Sequence, residues 1–258
     1  MTQVTAQPPV LSLNSVTFTY RDGTRALRDI SLDIQANESF VLFGPSRSGK
    51  STLLRLLNRL SDLIDGSQVE GEICFRGQNI FDRSVDLFAL RRRISMVFAI
   101  PSPLPGSIRD NLTYGLRMAG VRDGKFLQRQ VERSLSMVGL FDEVKDRLDT
   151  SAMALSGGQQ QRLCLARSLA LEPEIILLDN PTSGLDPLST AVVEDTLRTL
   201  RDEFTIVMVP HSVQQAARVA DRAGFLLDGE LVEVGTERDL FLNPRDQRTE
   251  DYITGRYG

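Results

Sequence analysis

The sequence has few of the residues that build disulfide-bonded or metal-stabilised folds. Only two cysteines, Cys74 and Cys164, and one histidine, His211, occur among its 258 residues. Two cysteines are too few for a disulfide framework or a cysteine-based zinc site. A single histidine also argues against a histidine-rich metal or acid–base cluster. We therefore expect a protein of a reducing, cytosolic setting.

Long apolar runs are also absent. The longest, such as 175–178 and 206–209, contain only a few residues, whereas a membrane-spanning helix needs roughly 18 or more. The first ten residues carry no basic charge and lead into no apolar segment, unlike a secretory signal. We expect a chain that does not cross a membrane alone and carries no such signal.

An excess of positive charge is missing as well. The chain has 30 lysines and arginines against 34 aspartates and glutamates, a net charge of −4, and no polybasic run. A nucleic-acid-binding protein is expected to present a broad basic surface. Nucleic acid is therefore not an expected partner.

The apolar pattern predicts an α/β fold. Alternation over 11–20 and 27–34, with Asp22-Gly23 as a turn signal, predicts two or three antiparallel strands. Short apolar runs indicate parallel-type strands, and helical spacing separates several of them. The predicted strands are 39–43, 94–98, 175–179, 205–209 and 223–227, with helices around 188–201 and 212–220.

A helical insertion interrupts this core. Between Pro101 and Ser156 the strand signal vanishes, and helical patterns at 108–116 and 126–138 follow a proline-rich joint. The 258 residues exceed the usual ~100–200 per domain, but no linker is long enough to separate two independent domains. We therefore predict one large domain over 1–258. It has an inserted helical subdomain at about 101–159, and its α/β core and antiparallel β subdomain at about 1–100 and 160–258.

A glycine-rich loop joins the 39–43 strand to a helix and fits the pattern G-x-x-x-x-G-K-[ST]. It consists of Gly44, Pro45, Ser46, Arg47, Ser48, Gly49, Lys50 and Ser51, followed by Thr52. Such a loop turns backbone N–H groups toward phosphate oxygens, while Lys50 supplies charge and Ser51 can ligate Mg²⁺. Asp179 ends an apolar strand, the arrangement that places a Mg²⁺-binding carboxylate in NTPases with such a loop. The loop and this strand together predict a mononucleotide site.

A third motif carries a family resemblance. The run Leu155-Ser156-Gly157-Gly158-Gln159-Gln160-Gln161-Arg162 lies shortly before the Asp179 strand and resembles the signature of the ATP-binding subunits of ABC transporters. Small residues before a helix, expected over about 160–171, expose N–H groups for a second phosphate contact. The resemblance implies a P-loop NTPase (RecA-like) core with an antiparallel β subdomain and an inserted helical subdomain, and it implies ATP and Mg²⁺.

The same resemblance implies partners and residue roles. Two ABC ATPase subunits pack head to tail, so Ser156, Gly157, Gly158 and Gln159 close over the ATP held by the other subunit. Asp186 lies in the loop that crosses this interface, His211 contacts the γ-phosphate, and Tyr20 stacks on adenine. Transmembrane permease subunits complete the assembly, and the resemblance places this chain peripherally at the cytoplasmic face of a bacterial-type inner membrane. Taken alone, Tyr20 is equally well an ordinary strand residue.

Four further stretches resemble the phosphate-import subfamily, namely 56–59, 144–148, 214–218 and 248–258. That resemblance implies an importer of inorganic phosphate, which passes through separate membrane subunits and a separate solute-binding protein. The region 101–150 would receive the coupling helices of the permease. A plain packed helical lid would have the same sequence pattern.

The chain departs from the family pattern at four positions. Ala99 replaces a glutamine that ligates Mg²⁺ and orients water, and Asn180 replaces the catalytic glutamate. An amide cannot accept the proton from water, and a general base contributes on the order of 10²–10⁴ in rate, so we expect slow hydrolysis. Arg47 can pair with phosphate or point to solvent. Pro210 puts the placement of His211 in question.

All four departures affect the site on this chain's own phosphate loop, whereas the signature and the Asp186 loop are complete. This distribution suits an asymmetric dimer with a hydrolysing partner, and equally a homodimer with two slow sites. Two functions follow: a transport ATPase, or a nucleotide-gated regulatory subunit with little turnover. An ABC protein of DNA repair or translation is disfavoured by the acidic balance.

Overall fold

The computed structural model describes residues 8–256. Tyr257 and Gly258 of the tail motif, and positions 1–7 of the predicted domain, lie outside this range. The strands are β1 (Leu11–Thr19), β2 (Arg25–Ile34), β3 (Ser39–Phe43), β4 (Gln68–Phe75), β5 (Gln78–Asn79), β6 (Ile94–Val97), β7 (Ile175–Asp179), β8 (Thr205–Val209), β9 (Arg222–Leu227) and β10 (Glu230–Thr236). The α-helices are α1 (Lys50–Leu57), α2 (Leu87–Arg93), α3 (Ile108–Met118), α4 (Gly124–Met137), α5 (Phe141–Val144), α6 (Gly157–Leu169), α7 (Pro187–Leu200), α8 (Val213–Val219), α9 (Glu237–Leu242) and α10 (Gln247–Ile253).

The strands form two sheets, which confirms the predicted α/β class. A four-stranded antiparallel sheet has the order β2-β1-β4-β5, and a six-stranded sheet has the order β10-β9-β3-β8-β7-β6. In the first sheet β1 pairs with both β2 and β4, and alternate β1 residues such as Leu11 and Leu13 are buried. The alternation read from the sequence is thus the period-2 pattern of a half-buried antiparallel sheet.

The larger sheet positions the motifs. All five residues of β3 are buried, and β3 pairs in parallel with β8 and with β9. β7 lies between β6 and β8, also in parallel. Because parallel strands end at the same edge of a sheet, the loops after β3, β7 and β8 lie next to one another, where ligands bind in such sheets.

The insertion is helical, as the sequence predicted. Between positions 101 and 156, one isolated bridge, Ser107 to Ser151, is the β pairing present. Helices α3, α4 and α6 pack together around side chains such as Ile108, Val131 and Leu163. The division of the full chain 1–258 at these boundaries stays a prediction.

The expected start of α6 near 160 is wrong. Helix α6 begins at Gly157 and ends at Leu169. Ser156 forms a capping box, in which its hydroxyl accepts from the Gln159 N–H and the Gln159 side chain accepts from the Ser156 N–H. This reciprocal pair satisfies two donors of the first turn and starts the helix at once. The signature glycines therefore lie in the first turn.

Over residues 8–256, the structure has no helix that combines the length and the apolar character needed to span a bilayer.

Candidate nucleotide-binding site

The phosphate loop follows β3, and two of its glycines are required by the surrounding backbone. Gly44 has φ 145°, and a Cβ there would lie 2.0 Å from the Leu226 carbonyl oxygen. Gly49 has φ 102°, and a Cβ would lie 2.4 Å from the Ala26 carbonyl oxygen. Both positions exclude any side chain. The loop is thus held tightly between β2 and β9.

Lys50, the first residue of α1, lies across this loop. Its ammonium donates to the carbonyl oxygens of Gly44 (2.9 Å) and Pro45 (2.6 Å) and to Ser48 Oγ (3.2 Å). Burial lowers the pKa of Lys50 to about 8, although the Asp179 charge partly opposes this shift. The lysine is therefore placed to contact phosphate oxygens that enter the loop.

Ser51 and Asp179 meet at the carboxyl edge of the sheet. Ser51 Oγ donates to Asp179 Oδ1 at 2.8 Å, and Asp179, the last residue of β7, is 7% exposed. Two neighbouring oxygen donors suit Mg²⁺, which usually takes one or two protein ligands and completes its shell with water and substrate phosphates. The donor set therefore fits Mg²⁺, and Ser51 and Asp179 are the residues that would hold it.

A cleft of about 570 Å³ opens beside the loop, within the range typical of small-molecule sites. Tyr20 lies on its wall, and its hydroxyl is 2.9 Å from Thr52 Oγ1. Its ring meets Phe18 edge-on, with centroids 5.0 Å apart. The motif did not reveal the charge of this cleft, which is lined by Arg25, Arg28, Arg47, Lys50 and one carboxylate, Asp228. Strongly anionic ligands suit such a wall.

Two residues of the loop remain exposed, Ser46 and Arg47. Arg47 has φ 66°, in the left-handed region that non-glycine residues rarely adopt. Such strain is maintained by the surrounding structure and concentrates at ligand sites. Since Arg47 lines the cleft together with Lys50, its placement favours the phosphate-pairing alternative over one directed only to solvent.

Two of the predicted departures from the family's catalytic pattern, Ala99 and Asn180, lie after neighbouring strands, β6 and β7. Ala99 offers only a methyl group, and the Gln161 amide fixes the adjoining segment by donating to the Phe98 carbonyl (3.1 Å). Asn180 has φ 50°, and its N–H donates to the Val209 carbonyl (2.8 Å). Its Oδ1 is buried and has no hydrogen-bond partner within residues 8–256. Neither side chain can act as a general base.

The elements expected to face a partner subunit lie against each other. A Cβ at Gly158 would meet Ser189 Oγ at 2.5 Å, so only glycine allows α6 this close to α7. Ser189 in turn donates to Asp186, whose carboxylate caps α7 by accepting from the N–H groups of Leu188 and Ser189. These bonds, the Ser189 hydroxyl first, lower the pKa of Asp186. Within one chain Asp186 therefore has a capping role, and its contact with nucleotide stays a prediction.

His211 follows β8, and its N–H donates to Gln215 Oε1 at 2.8 Å. Pro210 is buried, and Val209 before it is extended in β8, as the residue before a proline prefers. Gln215 is the functional candidate that sequence reasoning missed, although its spacing of four residues from His211 at a helix start was visible.

An apolar groove lies where the helical part meets β6. It measures about 220 Å³ and is lined by Phe98, Ile100, Leu104, Tyr114 and Leu171 among others. Phe98, Ile100 and Tyr114 are exposed large side chains. The proline-rich joint thus borders an uncovered apolar surface.

Comparison with known proteins gives consistent matches. Residues 27–183 match the family model described as ABC transporter. The chain is 50% identical over 255 residues to the phosphate import ATP-binding protein PstB of Pseudoalteromonas translucida, covering 99% of this chain and 92% of that one. It is 51% identical to the phosphate import ATP-binding protein PstB 2 of Ligilactobacillus salivarius, covering 93% and 95% of the two chains.

Solved structures are similar too. cbiO1 from Clostridium perfringens, part of the ABC transporter complex cbiONQ, has a TM-score of 0.80 at 25% identity and covers 97% of both chains. A bacterial Atm1-family ABC exporter with ATP bound has a TM-score of 0.80 at 27% identity, covering 99% of this chain and 43% of that one.

Proposed function

The chain belongs to the ABC transporter family, and from this premise we propose that it is the ATP-binding subunit of an importer of inorganic phosphate. One observation carries the ATP-binding function: Ser51 Oγ, at the end of the phosphate loop, and Asp179 Oδ1, at the end of β7, lie 2.8 Å apart beside the part-buried Lys50. Mg²⁺ bound there would neutralise phosphate charge. Phosphate as the transported ion is supported by two relatives named phosphate import ATP-binding proteins. They are 50% and 51% identical to this chain over 99% and 93% of its length.

Two ATPase subunits close on ATP in this proposal. Each subunit supplies its loop 44–51 to one nucleotide and its Ser156–Gln159 turn and Asp186 loop to the other. Closure is transmitted to transmembrane permease subunits through the apolar groove around Phe98 and Ile100. The chain then works at the cytoplasmic face of the inner membrane, and it serves a solute-binding protein only indirectly.

Hydrolysis in the chain's own site is slow in this proposal. Ala99 supplies no metal ligand, and the Asn180 amide can hold a water molecule without accepting its proton. The nucleotide is therefore held longer than in a site with a general base.

The distribution of the departures favours a second candidate, a non-hydrolysing, ATP-gated regulatory or dimer-partner subunit. The donated elements are well formed: Ser156 has its capping box, and Gly158 packs on Ser189. Only the chain's own catalytic positions, Ala99 and Asn180, lack the required groups. Such a chain would contribute its intact signature turn, Ser156–Gln159, to the nucleotide site of a partner subunit that hydrolyses ATP.

Phosphate uptake tests the proposal. Right-side-out membrane vesicles that contain the permease and this chain on their inner face, with the solute-binding protein outside, should accumulate labelled phosphate only with internal ATP. Lys50→Ala should abolish uptake, whereas Arg83→Ala, which removes an exposed cation before α2, is the control. Phosphate uptake that is unaffected by Lys50→Ala would refute the transport function.

Recovery of the assembly from its source separates the two candidates. A second ATPase subunit in stoichiometric amount supports the dimer-partner function. Only this chain, with measurable ATP turnover, supports the transport ATPase.

A further inference from the structure

The loop between β8 and α8 holds His211 by its main chain. Pro210 has no N–H group to donate, and the N–H of His211 donates to the Gln215 side chain at 2.8 Å. No hydrogen bond holds the imidazole itself within residues 8–256. The position of the histidine therefore depends on one side-chain acceptor.

That acceptor is itself fixed. Gln215 is 2% exposed, and its Nε2 donates to Thr182 Oγ1 at 2.9 Å and to Glu194 Oε1 at 3.0 Å. Thr182 belongs to the loop that follows Asn180, and Glu194 lies in the middle of α7. One amide thus joins three segments at the carboxyl edge of the sheet.

The direction of the amide is determined by charge. Arg218, one turn further along α8, donates to both oxygens of Glu194 at 2.8 and 2.7 Å. This ion pair lowers the pKa of Glu194 and keeps the carboxylate ionised. An ionised carboxylate only accepts hydrogen bonds, so the NH₂ group of Gln215 must face Glu194. Its oxygen then accepts from the N–H of His211 at 2.8 Å and lies 3.3 Å from Thr182 Oγ1.

We propose that Gln215 is a positioning residue that holds His211 where its side chain reaches the γ-phosphate, with Thr182 and Glu194 as anchors. This inference rests on the proposed function, in which His211 contacts the γ-phosphate. Through Thr182 the same amide ties the histidine loop to the 180–186 loop, which leads to Asp186. Occupation of the γ-phosphate position is thereby linked mechanically to the element offered to the partner.

The test compares nucleotide preference in matched variants of the full chain. Gln215→Met keeps length and shape but makes no hydrogen bond, and Gln214→Met changes the same residue type at the neighbouring, exposed position. Dissociation constants for Mg-ATP and Mg-ADP are measured by displacement of a fluorescent nucleotide. Q215M should reduce the preference for ATP over ADP by about tenfold or more, the factor of one charge-assisted hydrogen bond. ADP affinity should stay within about twofold, since ADP lacks the phosphate concerned.

A double-mutant cycle separates positioning from general damage. His211→Ala should lower the preference as much as Q215M does, and the double variant should lose nothing more. Gln215→Glu keeps an oxygen toward the His211 N–H but places a second carboxylate beside Glu194. It should therefore lower thermal stability and still retain the ATP preference. Equal losses of ATP and ADP affinity in Q215M, or additive losses in the double variant, would overturn the inference.

Amide exchange on the nucleotide-free chain tests the same contact independently of ATP binding. Peptides covering 210–213 and 180–186 should exchange faster in Q215M and unchanged in Q214M. Unchanged exchange in Q215M refutes the positioning role even if ATP binds as proposed. Faster exchange together with no ATP binding refutes the proposed function and supports the contact.

Discussion

If hydrolysis is slow as proposed, Asn180→Glu should raise the rate of ATP turnover. The variant places a carboxylate directly after β7, beside the Ser51–Asp179 pair, where a general base would act on water next to the γ-phosphate. A general base is worth on the order of 10²–10⁴ in rate. We expect ATP turnover to rise by this range, and further when Ala99→Gln adds a metal ligand.

The local structure determines the cost in stability. The Asn180 Oδ1 atom is buried and has no hydrogen-bond partner within residues 8–256, so its replacement breaks no side-chain hydrogen bond of that atom. Asn180 also has φ 50°, a conformation that asparagine tolerates better than glutamate. The variant should lose about 1 kcal/mol of stability, or about 2–4 °C in Tm.

Phosphate release from Mg-ATP under steady-state conditions is the assay, with Asn180→Gln as the control. Glutamine has the size of glutamate and the same backbone penalty, but it cannot accept a proton. N180Q should therefore lose stability equally and gain no rate. Equal rates for N180E and N180Q, or a parent chain that already turns over as fast as N180E, would refute the reasoning.

Three further outcomes follow from the loop. ATP affinity, measured by isothermal titration calorimetry, should fall by up to about tenfold per pH unit above pH 8. Lys50 has a pKa of about 8 in the nucleotide-free chain, so above this pH it must take up a proton before it pairs with phosphate. Lys50→Arg should remove this pH dependence. Gly44→Ala should cost about 2–4 kcal/mol in urea unfolding, because its Cβ would lie 2.0 Å from a backbone oxygen, whereas Gly77→Ala, with open space around it, should cost about 1 kcal/mol. Arg47→Gly should raise the free energy of unfolding by about 0.5–1 kcal/mol, because glycine adopts the positive φ of this position without strain. The same variant should bind ATP more weakly in isothermal titration calorimetry.

Much of the fold was predictable because its strands have distinct patterns. The buried runs of β3, β7 and β8 are short, apolar and bounded by turn residues, as expected of central parallel strands. β4 and β10 escaped prediction because most of their residues are partly or fully exposed and include charged side chains. Neither strand has a continuous apolar face that the sequence alone displays.

The candidate site divides in the same way. Contacts within one motif, such as Lys50 with its own loop, follow from spacing. Contacts between distant segments that no pair of motifs links do not: Gln215 contacts Thr182 and Glu194, which are 33 and 21 positions away in the sequence. Only the order of strands in the sheet brings these residues together, and a single sequence does not display that order.

The contacts of Lys50 have a consequence for the timing of nucleotide entry. Its ammonium already donates to two carbonyl oxygens and a hydroxyl of the loop, so an arriving phosphate replaces partners instead of satisfying an idle charge. The free energy gained is the difference between two sets of hydrogen bonds, which is much smaller than either set alone. Entry of a phosphate group would thus be an exchange reaction, in which the lysine gives up contacts with its own loop as it gains contacts with the phosphate.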